Sequence, residues 1–98
     1  MVKKDAMTAD GLALGVVAGR EASLIARCVA GDDDACGELV AEHQQMVLHL
    51  AENLLGDRDE ARDLAQEVFL RVFRTIRQFR GQSALRTWIY RIAVNQAR

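Results

Sequence analysis

The sequence contains no proline, only two cysteines and few aromatic residues, which make up 5% of the chain. Without proline, long helices are favoured and a loop-rich fold is disfavoured, because proline is a typical residue of turns and loops. No segment shows the sustained alternation of polar and apolar residues that marks half-buried strands. Hydrophobic residues make up 50% of the chain, and many of the others are strong helix formers. The sequence therefore predicts an all-α fold, a compact bundle of about four helices.

Long apolar runs are also lacking. The most apolar stretch, GLALGVVAG at residues 11–19, is too short to span a bilayer. Asp5 and Asp10 stand where a signal peptide has its basic region. We therefore expect no membrane span and a cytoplasmic protein, with a flexible N-terminal arm over residues 1–19 and one helical domain over residues 20–98.

The two cysteines do not form a zinc-binding pattern. Cys28 and Cys36 are eight positions apart, and His43 and His49 do not supply the closely spaced second pair that a structural zinc site requires. One interpretation is two separate reduced thiols in apolar surroundings. The alternative is a redox switch, in which the cysteines face each other across a turn at Gly31 and oxidation ties two helices together.

Glycines and acidic residues mark the ends of the first two predicted helices. The first runs from about Arg20 to Ala30 and stops at Gly31. The acidic run 32–34 is interpreted as an N-cap with favourable charge at the start of the second helix, which ends near Leu55. A calcium loop is the alternative, although such loops alternate their acids and add a distant glutamate.

Similar signals delimit the last two helices. Gly56 suits a left-handed C-terminal position, and Asp57 suits the N-cap of a third helix that ends near Gln78. Residues 79–82 form a turn, and Ser83 is the expected N-cap of a last helix over residues 84–98. His43, on the inner face of the second helix, is expected to be a buried, hydrogen-bonded core residue.

Charge is distributed very unevenly along the chain. Residues 1–60 contain twelve acidic and five basic side chains, a formal charge of −7, and residues 61–98 contain two acidic and eight basic side chains, a charge of +6. The basic part also carries Phe79, Trp88 and Tyr90. Basic side chains together with aromatic rings indicate a polyanion whose bases can stack.

The third helix has an apolar inner face and a mixed outer face. Leu70, an apolar residue among charges, favours a partner surface, although a salt-bridged surface with an ordinary Glu67–Arg71 pair is the alternative. On the last helix, side chains able to stack on bases, meet phosphates or read a base edge share one stripe: Trp88, Arg91, Asn95 and Arg98. The alternative here is that Trp88 belongs to the core and the rest is a solvated face.

The segment DLAQEVFLRVFRTIRQFRGQSALRTWIYRIAVNQAR closely resembles region 2 of the extracytoplasmic-function (ECF) sigma factors of bacterial RNA polymerase. The similarity covers residues 21–98 and is most specific in DLAQEVFLRV and FRGQSALRTWIYRIAVN. The family usually has aromatic residues near positions 36, 43 and 47, where this chain has Cys36, His43 and Val47. That departure affects core packing.

The resemblance implies a transcription initiation factor with no catalytic residues, metal or cofactor. Its third helix would bind the clamp helices of the largest catalytic subunit of core RNA polymerase. Its turn and last helix would recognise and melt the promoter minus-ten element and hold a flipped non-template base. The positions implied for polymerase binding are Asp63, Gln66, Glu67, Leu70, Arg71 and Arg74; those implied for DNA are Phe79, Arg80, Gly81, Gln82, Ser83, Arg86, Thr87, Trp88, Arg91, Asn95 and Arg98.

Family members continue through a linker into a second helical domain, region 4, which reads the minus-thirty-five element. This sequence stops at Arg98, so we expect a truncated or unusually short protein that binds core polymerase and single-stranded promoter DNA weakly. The main alternative is a helical interaction module bound by an anti-sigma factor or another regulatory partner. A duplex-reading helix-turn-helix protein is less favoured, because the aromatic and asparagine stripe suits unstacked bases and the turn is long for that motif.

Overall fold

The computed structural model describes the backbone of residues 9–79, 81 and 83–98, and the side chains in those ranges from residue 19 onward. Within them the chain forms four α-helices and one 3₁₀ turn, with no strand. The elements are α1 (Ala9–Val29), α2 (Asp33–Leu55), α3 (Arg58–Thr75), the 3₁₀ turn (Ile76–Gln78) and α4 (Leu85–Ala97). The prediction of an all-α bundle of about four helices is confirmed.

Helix α1 begins at Ala9, earlier than the expected start near Arg20. Residues 9–19 of the expected arm therefore belong to the helix, and residues 1–8 lie outside the described residues. The helix ends as expected at Gly31, whose φ of 100° is left-handed. The amide of Gly31 donates to the carbonyl of Cys28, and the amide of Asp32 donates to the carbonyl of Arg27. These two bonds form a Schellman motif, which satisfies carbonyls that a helix end leaves unpaired.

Asp32 caps α2, as the sequence predicts. Its Oδ1 accepts from the amide of Ala35 at 3.2 Å, and its other oxygen accepts from Arg27 Nε at 3.3 Å. The hydrogen bond from the Ala35 amide is the main cause, and the hydrogen bond from the Arg27 guanidinium is the second cause, of the pKa of the Asp32 carboxyl lying below its ordinary value. The carboxylate is thus engaged in capping, and the residues described contain no cluster of acidic, histidine or cysteine side chains able to hold a metal ion.

Cys28 and Cys36 are joined by a disulfide, with their Cα atoms 4.8 Å apart. This separation lies within the range of roughly 4.4–6.8 Å that disulfides span. The interpretation of two separate thiols is therefore wrong. The cysteines face each other across the turn at Gly31, as the alternative required, and the bond joins the end of α1 to the first turn of α2.

The junction between α2 and α3 follows the predicted signals. Gly56 has a φ of 71°, and its amide donates to the carbonyl of Glu52. Asp57 caps α3 by accepting from the amide of Glu60 at 2.9 Å. The third helix then passes into the 3₁₀ turn, which ends at Gln78, where the helix was expected to end.

The other three helices all pack against α2, and the core lies between them and α2. His43 is 6% exposed, and its ring Nδ1 lies 2.9 Å from the carbonyl oxygen of Leu39, so its prediction as a hydrogen-bonded core residue is confirmed. Leu54 and Phe73 have the helical spacing of the apolar inner faces of α2 and α3, but they are 51% and 37% exposed. The largest fully buried side chains are Leu39, Val47, Val68, Val72, Leu85 and Ile89.

Polar contacts also hold α1 to α2. Arg20 forms ion pairs with Glu38, at 3.3 Å, and with Glu42. The hydrogen bond from Arg20 holds the pKa of the Glu42 carboxyl below its ordinary value. These contacts and the disulfide fix the orientation of α1, which matters for the cleft described below.

Candidate nucleic-acid and partner interfaces

The residues expected to bind polymerase share the exposed side of α3. All six are exposed, including Leu70 at 48%. They lie there because the opposite side of the helix, with apolar residues at steps of three and four, is buried in the core. We call this set the α3 strip: Asp63, Gln66, Glu67, Leu70, Arg71 and Arg74.

Within the described residues, no salt bridge pairs the charged side chains of the α3 strip. The four ion pairs there join Arg20 to Glu38 and Glu42, Arg27 to Asp32, and Arg58 to Glu52. The Glu67–Arg71 pair of the alternative interpretation is not among them. The strip presents acids toward the N-terminus of α3 and arginines toward its C-terminus, an order that the helix dipole favours.

An apolar cleft of about 420 Å³ borders the α3 strip, between α2 and α3. Gln66 and Leu70 belong both to the α3 strip and to this cleft. Phe73 also lines the cleft, and for this reason its ring remains exposed although it lies next to the core. The described residues lining the cleft are Val40, Gln44, Leu48, Arg62, Ala65, Gln66, Phe69, Leu70 and Phe73. A cleft of this composition suits apolar side chains of a protein partner.

Three residues of the predicted DNA stripe meet on α4. Arg91, Asn95 and Arg98 are exposed and line one depression of about 330 Å³. Tyr90 and Val94 complete it, and the Tyr90 ring is 47% exposed. We call these five residues the α4 face. Tyr90 was missed as a site residue, although its position beside Arg91 and one turn before Val94 could have indicated it.

Trp88 does not join the α4 face. Its ring is half-buried against the core and contacts Phe79, with ring centroids 5.2 Å apart and planes tilted by 49°. Such tilted pairs stabilise by about 0.5–1.5 kcal/mol beyond the area they bury. The interpretation of Trp88 as a core residue therefore accounts for most of its surface, and the pair fixes Phe79 beside the turn.

The turn before α4 borders a second cleft, of about 460 Å³. Its described lining residues come from α1 and from the turn, and we call it the turn cleft: Glu21, Ala22, Ile25, Ala26, Phe79, Gly81 and Ser83. Among the other predicted DNA-binding residues, Arg86 and Thr87 are exposed on the first turn of α4. Arg80 and Gln82 lie outside the described residues.

Ser83 is not the N-cap of α4, as the sequence had suggested. The N-cap residue is Ala84, which has no capping side chain, and the Ser83 hydroxyl donates instead to the carbonyl of Ala84 at 3.3 Å. The first amide of the helix, that of Leu85, donates to Oε2 of Glu21 at 3.5 Å. No sequence signal pointed to Glu21, because this contact depends on how α1 packs against the turn.

Comparison with known proteins agrees with this geometry. The family model described as Sigma-70 region 2 matches residues 39–98, which include the α3 strip, the α4 face and the turn between them. In the part of the chain that the structure covers, no helix is both long and apolar enough to cross a membrane.

Curated relatives carry related names. The chain is 40% identical over 79 residues to the RNA polymerase sigma-H factor of Pseudomonas aeruginosa, an alignment that covers 81% of this chain and 41% of the relative. It is 41% identical over 76 residues to the ECF RNA polymerase sigma-E factor of Haemophilus influenzae, covering 78% and 40%. For the sigma-E factor of Escherichia coli K12 the values are 40% over 75 residues, covering 76% and 39%.

The chain thus spans about two fifths of the length of these relatives. Most of the chain nevertheless matches one part of them at about 40% identity, and that part forms the helices on which the candidate surfaces lie. This protein belongs to the sigma-70 region 2 family and is similar to its ECF sigma factors.

Proposed function

We propose that this chain is the promoter-opening domain of a transcription initiation factor. In this proposal the α3 strip binds the clamp helices of core RNA polymerase, and the turn and α4 capture non-template bases of the minus-ten element. The observation that carries it is the α4 face, where Tyr90, Arg91, Asn95 and Arg98 line one exposed depression. The match of residues 39–98 to Sigma-70 region 2 supports the same role.

The chemistry of the α4 face suits single-stranded DNA. Arginines neutralise phosphates, an exposed tyrosine ring can stack on a base, and an asparagine amide offers a donor and an acceptor to a base edge. The turn cleft, with the ring of Phe79 in its wall, is large enough to hold a base removed from the stack. No catalytic group is required for this role.

The free-energy cost of opening the duplex and the free energy gained by capturing its bases are of similar size. Opening duplex DNA costs about 1.4 kcal/mol of stacking per base-pair step, and each unstacked base captured on an aromatic ring recovers about 1–3 kcal/mol. A domain that binds only the unpaired strand therefore shifts the equilibrium toward the open bubble. Such a protein would act in the cytoplasm, where promoter DNA and polymerase are found.

Replacement of Asn95 by alanine is expected to remove sequence preference while leaving backbone attraction. A preferred strand is first selected from a randomised single-stranded library, and its affinity is compared with that of a scrambled strand by fluorescence anisotropy. Asn95→Ala should reduce the preference by about tenfold, since one good base-edge contact discriminates by about 1–3 kcal/mol.

Two variants serve as controls for Asn95→Ala. Gln96→Ala removes an exposed amide that lies on the α3 side of the same helix and should leave the preference unchanged. Arg77→Ala removes an exposed arginine outside the α4 face and should weaken both strands alike. If the unaltered protein binds preferred and scrambled strands equally, the domain does not read sequence and only backbone attraction remains.

The apolar cleft between α2 and α3 favours a second role that is compatible with the first. Its lining by Leu48, Phe69, Leu70 and Phe73 suits a helix of a regulatory protein such as an anti-sigma factor. The two kinds of binding differ in salt dependence, because phosphate contacts release counterions and weaken steeply as salt rises. A partner held in the apolar cleft should bind almost equally at low and moderate salt.

A further inference from the structure

Glu21 lies in the wall of the turn cleft, although it comes from the other end of the sequence. Its carboxylate is partly buried, and its Oε2 accepts from the amide of Leu85, 64 positions away. Helix α4 has no capping side chain of its own and no acidic residue in its first turn. The positive end of the helix dipole and the amide therefore hold this carboxylate in place beside the cleft.

The turn cleft itself has the composition of a site for a flat, partly polar ring. Ala22, Ile25 and Ala26 give it an apolar side, and the ring of Phe79 is available for stacking. Its two described polar side chains are the Glu21 carboxylate and the Ser83 hydroxyl, whose proton is directed to the carbonyl of Ala84. Both side chains therefore present hydrogen-bond acceptors to whatever occupies the cleft.

A carboxylate is unfavourable for general DNA binding, because it repels phosphates. An ionised carboxylate can only accept hydrogen bonds, and it pairs with an amino group on a base edge, as glutamate does with the N4 amino group of cytosine. A base removed from the stack exposes its pairing edge for such contacts. Thymine carries no amino group: its pairing edge offers one ring N3–H between two carbonyl oxygens, and the carboxylate would repel those oxygens.

We infer that Glu21 is a specificity-determining residue that selects a captured base bearing an exocyclic amino group over thymine. This inference rests on the proposed function and deepens it, because it assigns part of the base choice to α1. The Glu21 oxygen that does not accept from Leu85 accepts a hydrogen bond from the amino group of the base. The hydrogen bond from the Leu85 amide keeps the carboxylate oriented.

The test compares strands that differ only by one amino group. Each adenine of the preferred single strand is replaced in turn by purine, each guanine by hypoxanthine and each cytosine by 2-pyrimidinone, and each replacement lacks the amino group. Binding to the full chain is measured by anisotropy. At one position the loss of the amino group should weaken binding to the unaltered protein by about tenfold.

The variant Glu21→Gln supplies the second half of the test, in which the protein is changed instead of the DNA strand. Its amide oxygen can still accept from Leu85, so α4 keeps its cap, and its NH₂ group can donate to a carbonyl. At the sensitive position Glu21→Gln should bind thymine and amino bases with similar affinity. Its affinity for scrambled strands should be equal or higher, because a charge that repels phosphate has been removed. Glu60→Gln, at an exposed position in the first turn of α3, should retain the original preference.

The inference and the proposed function fail in different ways. If the unaltered protein shows no strand preference, the proposed function fails and this inference falls with it. If it prefers its strand but no single amino group matters, or if Glu21→Gln keeps the original base preference, only the assignment to Glu21 is overturned. Should Glu21→Gln unfold, the amino-deletion series on the unaltered protein still decides, because an insensitive series contradicts the assignment.

Discussion

Reduction of the Cys28–Cys36 disulfide is expected to lower the free energy of unfolding by about 2.5 kcal/mol. The bond joins residues eight positions apart, and loop-closure entropy predicts a stabilisation of this size for so short a loop, slightly less than for longer ones. Small domains have only about 5–15 kcal/mol in total, so the loss is a large fraction. Because the bond ties α1 to α2, the amides of α1 should lose the most protection from hydrogen exchange.

The measurement is urea unfolding followed by circular dichroism, with and without a phosphine reductant. The double variant Cys28→Ala/Cys36→Ala is the control and should unfold like the reduced protein in both conditions. Thiol titration of the unreduced protein should find no reactive thiol. Two titratable thiols, or an unfolding midpoint insensitive to reductant, would remove both the disulfide and the redox role suggested for it. Reducing compartments such as the bacterial cytosol keep most thiols reduced, so in such a compartment the bond would form only under oxidation.

The variant Phe79→Ala is expected to weaken binding of the preferred single strand by roughly fivefold to 150-fold. The range follows from about 1–3 kcal/mol for each base stacked on an aromatic ring. Phe79 borders the turn cleft and is held by Trp88 at a centroid distance of 5.2 Å. Its removal eliminates the described aromatic ring of the cleft and loosens the support of its neighbour.

Phe73→Ala is the matched control, because it makes the same change at a ring that is 37% exposed in the apolar cleft between α2 and α3. It should leave strand binding unchanged, and circular dichroism should show both variants folded. Phe79→Tyr should retain most of the affinity, since a tyrosine ring stacks similarly. Equal losses in Phe79→Ala and Phe73→Ala would mean that the effect is on stability, and wild-type affinity in Phe79→Ala would contradict capture at the turn cleft.

Local signals in the sequence were sufficient for most of the fold. The caps at Asp32 and Asp57 and the left-handed glycines at 31 and 56 lie where their residue types indicated, because these preferences depend on a few neighbouring atoms. The α3 strip was likewise predictable, since a strong apolar face leaves only one side of a helix exposed.

The errors came from contacts between distant residues. Ser83 had the right residue type for a cap, but the acceptor for α4 is Glu21, which only tertiary packing brings near. Trp88 had the spacing of the α4 face, but Phe79 and the core cover much of its ring. Helical spacing predicts the direction in which a side chain leaves the helix axis. It does not predict how much of that side chain the neighbouring helices and turns will cover.

The cysteines illustrate the same limit. Their spacing of eight permits either separate thiols or a bond, because the outcome depends on the path of the chain through the turn at Gly31. The Schellman motif reverses the chain tightly enough to bring their Cα atoms to 4.8 Å. Residue type and spacing could pose that alternative but could not decide it.

The most direct test of the central proposal is binding of the full 98-residue chain to bacterial core RNA polymerase, measured by fluorescence anisotropy. The variants Glu67→Lys, in the centre of the α3 strip, and Glu38→Lys, on the α1 side of α2, make the same charge reversal on different surfaces. We expect saturable binding by the unaltered chain and by Glu38→Lys, and at least about tenfold weaker binding by Glu67→Lys, a loss of about 1.4 kcal/mol. Absence of binding by the folded chain, or equal binding by all three proteins, would contradict the assignment of the α3 strip to the polymerase.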